Sequence, residues 1–223
     1  MTTLGFDTAT PATAACLLRG DGEAFEHVPS PDELTSRPAH GSELLPRIHE
    51  LLERAGVGFG ELDRIAVGVG PGTFTGLRVG IATARALAHA HALPVHPVSS
   101  LAALAAGIDA PLRLALIDAR RGELFAALHD GAGEVWPPFV AAPETVAGRV
   151  REAALSPVGA GDGSVRFREV LEAAGVRVEP DGSQAHAVRA LHVCRLAVAV
   201  SPVPPAAVLP DYLRAPDAQP QTR

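Results

Sequence analysis

Two aspartates end apolar stretches at the start of the two halves of the chain, Asp7 after Thr2–Phe6 and Asp118 after Leu112–Ile117. A carboxylate beside the N–H groups of a tight loop can hold a hydrated Mg²⁺ and, through it, a nucleotide. The same carboxylates can instead cap their own turns by accepting those N–H groups, which is the interpretation that we favour. The alternative is a nucleotide site, whose predicted residues are Asp7, Thr8, Gly72, Asp118, Gly159 and Gly161.

The segment GPGTFTGLRVG, residues 70–80, carries four glycines, and a glycine without a conformational role costs about 1 kcal/mol. Gly70 and Gly72 bracket a proline after a predicted strand, and Gly76 opens a predicted helix. Free N–H groups and the positive end of the helix dipole meet there and could hold a phosphate. A tight connection from strand to helix without any ligand explains the same glycines, so both interpretations remain open.

Within the predicted helix over 76–92, residues of minimal size recur every four positions and form a continuous seam. Such a seam lets another element approach closely, either the chain's own sheet or a partner's helix. The apolar positions of the helix over 44–55 offer a second contact surface. We therefore predict a partner-binding surface made of His40, Leu44, Leu45, Ile48, Leu52, Gly76, Gly80, Ala84 and Ala88.

Several function classes are excluded or disfavoured by residue content. The chain has no lysine, which excludes a Walker-type phosphate loop and Schiff-base chemistry. Cys16 and Cys194 lie among apolar neighbours and are predicted to be inert, and the histidines show no metal-ligand spacing, so no metal site is predicted. Nucleophile-elbow and H-E-x-x-H motifs are absent, which disfavours a peptidase.

The formal net charge of −6 and the lack of a basic run predict that any RNA contact comes mainly through a partner. No stretch approaches the roughly 18 apolar residues of a membrane-spanning helix. We therefore expect a cytoplasmic protein without a membrane partner.

The chain reads as two α/β halves. A three-strand meander is predicted over 2–28, followed by helices and short strands. The same order of elements begins again at Leu112 with a strand and a second meander. This pattern indicates a duplicated α/β unit with an N-terminal domain over 1–108 and a C-terminal domain over 109–223.

Seven motifs in a fixed order resemble the TsaB (YeaZ) family across nearly the whole chain. They are GFDTAT (5–10), H-x-x-x-x-L-P (40–46), GPGTFTGLRVG (70–80), VSSLAALA (98–105), IDARRGE (117–123), GAG (159–161) and P-x-Y-L-R (210–214). The resemblance implies two tandem actin-like (ASKHA, ribonuclease H-like) domains. It also implies a non-catalytic subunit that works with the catalytic paralogue TsaD and the ATPase TsaE.

That assembly places a threonylcarbamoyl group on N6 of adenosine 37 of tRNA. In the catalytic paralogue two histidines four residues apart on a helix hold the metal, whereas Ser100 and Leu104 stand at those places here. The resemblance therefore implies no cofactor in this subunit, with ATP or ADP and Mg²⁺ at a subunit interface. The seam over 76–92 and the helix over 44–55 predict a homodimer that is exchanged for TsaD when the paralogue is available. The alternative is an ATP-dependent phosphotransferase that uses Asp7 or Asp118 as base and residues 159–163 to cradle adenosine.

Overall fold

The computed structural model describes residues 1–214, and the first half is built on a five-stranded mixed sheet. Strand β1 is central, antiparallel to β2 and parallel to β4. All five of its residues are buried because helices cover both faces of the sheet. The spatial order is β3-β2-β1-β4-β5, with β1 Thr3–Asp7, β2 Ala14–Leu18, β3 Ala24–His27, β4 Arg64–Gly70 and β5 Val95–Ser99.

The second half repeats this strand order in a separate sheet. Strand β6 is central, antiparallel to β7 and parallel to β9. The order β10-β9-β6-β7-β8 corresponds strand by strand to the first sheet and confirms the predicted mixed α/β class. The strands are β6 Arg113–Arg120, β7 Glu123–His129, β8 Glu134–Ala141, β9 Val158–Ala160 and β10 Arg177–Val178.

Eight α-helices connect and cover the sheets within the described part of the chain. They are α1 Pro31–Thr35, α2 His40–Ala55, α3 Phe74–His91, α4 Ser100–Ala105, α5 Pro143–Glu152, α6 Asp162–Arg166, α7 Arg168–Glu172 and α8 Ala190–Leu196. None of these helices is long and apolar enough to cross a lipid bilayer.

Helix α2 follows its sequence pattern closely. Most of its apolar positions recur at helical spacing and are buried, and Gly56 ends it in the left-handed conformation with φ 64°. The helix begins at His40, four residues before the predicted stretch over 44–55. Together with α3 it covers one face of the first sheet, where its side chains join Leu4, Phe6 and Ile65 in one core.

Helix α4 lies between the two sheets. Leu101 and Leu104 are fully buried in a core that includes Ala66 of the first sheet and Ile117 of the second. Each such leucine contributes about 1.5–3 kcal/mol through burial. The helix therefore ties the two halves together.

The chain returns to the first sheet near its end. Helix α8 packs on β1 and β2, and a Cβ at Gly5 would lie 2.4 Å from Cys194 Sγ. Val203 pairs with Val95 of β5.

The domain boundary predicted at 108/109 falls between the two sheets. Helix α8, which follows this boundary, nevertheless packs on the first sheet, because its apolar residues Ala190, Leu191 and Cys194 complete the core there. Positions 215–223 of the predicted second domain lie outside the described residues.

Candidate functional site at the cleft between the two sheets

Asp7 is buried at the carboxyl end of β1 and bonded within the chain. Ser100 Oγ donates to Asp7 Oδ2 at 2.6 Å, and Ala9 N donates to Oδ1 at 2.8 Å. Gly70 N in turn donates to Ser100 Oγ at 3.2 Å. Burial raises the pKa of Asp7, and the two hydrogen bonds oppose that shift. Asp7 therefore caps its own turn and ties β1 to β4 and α4.

The loop between β1 and β2, residues 8–13, is buried along its whole length. Thr8 Oγ1 donates to the Gly76 carbonyl at 2.7 Å, and Thr73 N donates to the Ala9 carbonyl at 2.8 Å. Thr13 Oγ1 lies 2.8 Å from His40 Nδ1. These hydrogen bonds tie the loop to the start of α3 and to His40.

The small-residue seam of α3 packs against this loop, which corrects its assignment to a partner. A Cβ at Gly76 would lie 2.0 Å from the Thr8 carbonyl oxygen, and one at Gly80 would lie 2.5 Å from Thr8 Oγ1. Ala84 and Ala88 are buried in the core of the first half. The close approach that the spacing predicted is real, but the neighbouring element is the chain's own sheet.

Helix α2 shows the same inward use of its apolar positions. His40, Leu44, Ile48 and Leu52 are buried, and of the predicted residues on this helix only Leu45, 45% exposed, faces solvent. Burial lowers the pKa of His40, which Glu43 partly offsets. Leu44, Ile48 and Leu52 support the helix from within, whereas His40, although buried, lines a groove at the amino-terminal end of α2.

The outer surfaces of α2 and α3 lie side by side and carry small and apolar side chains. Leu45, Pro46, Ala82 and Ala86 are exposed there. A groove of about 410 Å³ separates the amino-terminal ends of the two helices and is lined by residues that include Ser42, Thr75 and Val79. We name Leu45, Pro46, Val79, Ala82 and Ala86 the outer helix surface.

Asp118 lies two residues before the end of β6, whereas Asp7 ends β1, and Asp118 faces a cleft between the sheets. It accepts hydrogen bonds from Arg120 N at 2.8 Å, Arg120 Nη1 at 3.1 Å and Arg166 Nη1 at 2.7 Å. Asp162 Oδ1 accepts from Asp118 N at 3.0 Å. Burial, with the Asp118 charge adding, raises the pKa of Asp162 to about 6. Asp118 is thus neutralised by two arginines.

The hairpin between β6 and β7 holds two arginines in an unfavourable backbone conformation. The φ angles of Arg120, Arg121 and Gly122 are 62°, 54° and 79°. Side chains with a Cβ pay about 1–2 kcal/mol in this left-handed region, and hairpin turns of this kind favour Asn and Gly. Such outliers suggest a function for the side chains that they place.

Two cavities open beside this hairpin. One, of about 500 Å³, is lined by residues that include Phe74, Arg121, Tyr212 and Arg214. The other, of about 670 Å³, lies between the α1 segment and α6. Asp118 and Arg120 line both. We name residues 203–214 the strap. The first cavity is named the strap cleft, because the last four residues of the strap, 211–214, line it.

The six predicted nucleotide residues do not converge. Gly72 and Asp118 line the strap cleft, whereas Asp7 and Thr8 are enclosed below α3. A Cβ at Gly161 would lie 1.9 Å from the Leu116 carbonyl oxygen, and one at Gly159 would lie 2.8 Å from Val176 Cγ1. The GAG motif therefore allows close packing around β9.

Sequence reasoning assigned no role to the arginines of the cleft or to the strap. Two signals were available: consecutive arginines immediately before the glycine of a tight hairpin, and the P-x-Y-L-R motif, whose Tyr212 and Arg214 line the cleft. Within residues 1–214, no group of three or more His, Cys, Asp and Glu side chains is arranged to hold a metal ion.

Known proteins that are similar in sequence and structure identify the family of this chain. The family described as TsaD, tRNA N6-adenosine threonylcarbamoyltransferase, matches residues 31–149, more than half of the chain. TsaB of Haemophilus influenzae, described as a tRNA threonylcarbamoyladenosine biosynthesis protein, is 40% identical over 130 residues. YeaZ from Pseudomonas aeruginosa is similar in structure, with a TM-score of 0.75 and 30% identity over 95% of this chain and 100% of that one. The chain belongs to the TsaB (YeaZ) family.

The relatives differ in how much of their own length this chain matches. An uncharacterized protein of Mycobacterium tuberculosis is 36% identical over 98% of this chain and 94% of its own length. The match covers 56% of a Mycobacterium leprae relative and 52% of the Haemophilus influenzae TsaB protein. The chain therefore spans about half the length of those two relatives.

The backbone cost at the hairpin is testable by Arg121→Asn. Asparagine tolerates the left-handed region better than arginine, so we expect the free energy of unfolding in urea to rise by about 0.5–1 kcal/mol. Arg151→Asn, at an exposed position in α5, serves as the control and should change it by less than about 0.5 kcal/mol. Equal values for both variants would contradict a net cost at Arg121, whose side chain also makes an interaction that asparagine would change.

The raised pKa of Asp162 predicts how stability depends on pH. The folded-state pKa, about 6, exceeds the ordinary value of 3.8, so ionisation is costly in the folded protein. The contribution of protonated Asp162 to the free energy of unfolding is fully present below about pH 4 and is lost as the pH rises through 6. Relative to the parent chain, Asp162→Asn should therefore gain on the order of 2 kcal/mol between pH 4 and pH 8. Parallel stability curves for the two proteins over this range would contradict the assignment.

Proposed function

We propose that this chain is a non-catalytic subunit in the biosynthesis of N6-threonylcarbamoyladenosine in tRNA, and that it binds and activates the catalytic TsaD subunit. The relatives named TsaB supply the pathway. The TsaD-like match over residues 31–149 supports a paralogous partner. We infer that the chain acts in the cytoplasm, with TsaE as a further partner.

One observation carries the non-catalytic part of this proposal. The two positions that hold the metal-binding histidines of the catalytic paralogue are Ser100 and Leu104 here. The Ser100 hydroxyl is engaged by Asp7 and Gly70, and Leu104 is fully buried in the core between the sheets. A leucine side chain offers no ligand atom, and its apolar surroundings would penalise a bare cation.

The geometry gives the phosphotransferase alternative little support. Asp7 lies below α3 with both carboxylate oxygens hydrogen-bonded, so it has no open path to a substrate hydroxyl. The β1–β2 loop is hydrogen-bonded to Thr73, Gly76 and His40. We infer that the chain needs no cofactor of its own, and that ATP or ADP with Mg²⁺ would bind only where a partner completes a site.

The shared strand order of the two sheets supports tandem actin-like (ASKHA, ribonuclease H-like) domains that divide near residue 108. In such an arrangement, α2 and α3 form one outer face of the first domain. We propose that the outer helix surface on that face receives TsaD, and a second copy of this chain when TsaD is absent. This surface replaces the buried seam as the predicted contact.

The proposal predicts a selective effect of charges on the outer helix surface. Leu45→Asp and Ala82→Asp place a carboxylate at exposed positions, so their free energies of unfolding should change by less than about 0.5 kcal/mol. A buried interfacial charge without a partner is costly, so capture of TsaD and homodimerisation should both fall at least about tenfold. Affinity capture and sedimentation measure these effects.

Val198→Asp is the matched control, because Val198 is 68% exposed and lies after α8, away from this surface. It should bind like the parent chain. The function itself is measured by mass spectrometry of tRNA nucleosides after reconstitution with and without this chain. Modification that is unchanged when the chain is omitted contradicts the proposed function, whereas normal capture by both surface variants contradicts only the proposed surface.

A further inference from the structure

The strap runs along the first half of the molecule before it reaches the second. Val203 N donates to the Val95 carbonyl of β5 at 2.8 Å, so the strap begins on the edge of the first sheet. Further along, the Arg85 side chain of α3 donates to the Ala206 carbonyl at 3.2 Å, and Val208 is buried in the core of the first half. The first part of the strap is therefore fixed to β5 and α3.

Tyr212 fastens the next part of the strap to the first turns of α3. Asp211 N donates to the Val69 carbonyl of β4 at 2.7 Å. The Tyr212 ring stacks on the Phe74 ring, with centroids 5.4 Å apart and planes inclined by 24°. Arg78 Nε donates to the Tyr212 hydroxyl at 3.2 Å, and Arg78 Cζ lies 3.7 Å from the Phe74 centroid. Because a stacked aromatic pair contributes about 0.5–1.5 kcal/mol beyond its burial, Tyr212 holds the strap firmly against α3.

The last two strap residues that the structure describes cross to the second half. Leu213 packs against the core that lies between the two sheets. Arg214 Nη1 donates to the Ala119 carbonyl at 3.0 Å, and Arg214 Nη2 pairs with the Glu123 carboxylate. Ala119 lies in β6 and Glu123 begins β7. One guanidinium group therefore holds both strands of the β6–β7 hairpin.

The strap cleft is the place where a movement between the halves would show. Residues 72–75 of the first half and residues 118–121 of the second half line it. Two domains that meet across a cleft can rotate relative to each other unless their shared contacts prevent the rotation. The anchors of the strap lie on both sides of this cleft. A wider cleft would therefore break the contacts of Arg214 or pull Tyr212 away from Phe74.

We propose that the strap is a clamp that locks the two halves in one orientation, with Tyr212 and Arg214 as its fastening points. Helix α3, to which the clamp is fastened, also carries Ala82 and Ala86 of the outer helix surface. The clamp thus fixes the second half relative to the surface on which a partner would dock. The lock is a property of this chain alone and does not depend on the proposed function.

The distance between the two halves tests the clamp directly. Glu53→Cys in α2 and Arg151→Cys in α5 introduce cysteines at exposed positions, one in each half. Spin labels on these two cysteines report the distance by pulsed electron spin resonance. Cys16 and Cys194 are fully buried and should stay unlabelled in the folded protein.

Release of either fastening point should widen the measured distance distribution. The parent chain should give one narrow distribution, whereas Arg214→Ala and Tyr212→Ala should each make it at least about twofold wider. Arg168→Ala is the matched control, because the Arg168 side chain is 25% exposed against 26% for Arg214. Arg168 also donates to carboxylates and to a backbone carbonyl, but all of these partners lie in the second half. This variant should keep the parent width.

A parent distribution that is already broad would overturn the inference, since the halves would then not be locked. The inference is also overturned if both strap variants keep the parent width, because α4 and its core would then hold the halves without the strap. Equal widening by Arg168→Ala would overturn it as well, since the widening would then follow from a general loss of stability. The measurement needs no TsaD, so these outcomes are separate from a failure of the proposed function.

Discussion

Helix α3 crosses the carboxyl end of β1 with backbone against backbone, and the rest of the structure depends on this contact. Gly76 and Gly80 leave room for Thr8, whose hydroxyl donates to the Gly76 carbonyl. A side chain at either glycine would push the helix away from the sheet, because protein interiors are close-packed and yield little. The contact closes the β1–β2 loop and sets where the first turn of α3 begins.

The closed loop also decides which surfaces remain for function. With Asp7 capping its turn and Ser100 bonded to it, the end of β1 has become part of the core. The outer helix surface and the strap cleft, in contrast, face solvent. An exposed surface apart from the buried end of β1 is what the proposed role as a partner-binding subunit requires.

Much of the fold could be predicted from the sequence, because apolar periodicity reports burial directly. The central strands, helix α2 and the repeated α/β order follow from it. The spacing of Gly76, Gly80, Ala84 and Ala88 also predicted a close approach, but spacing alone does not distinguish the chain's own sheet from a partner. The cleft could not be predicted, since it joins Phe74, Arg121 and Tyr212 from distant parts of the chain. It also depends on hairpin residues whose backbone adopts the left-handed conformation.

The most direct test of this account is the coupling between Gly80 and Thr8, measured by urea unfolding of Gly80→Ala, Thr8→Ala and the double variant. A Cβ at position 80 would lie 2.5 Å from Thr8 Oγ1, so Gly80→Ala should destabilise the fold by about 1–3 kcal/mol. Removal of the Thr8 side chain should relieve the clash, with a coupling energy of at least about 1 kcal/mol. A Gly80→Ala variant as stable as the parent, with weakened capture of TsaD, would contradict the account and return the seam to a partner.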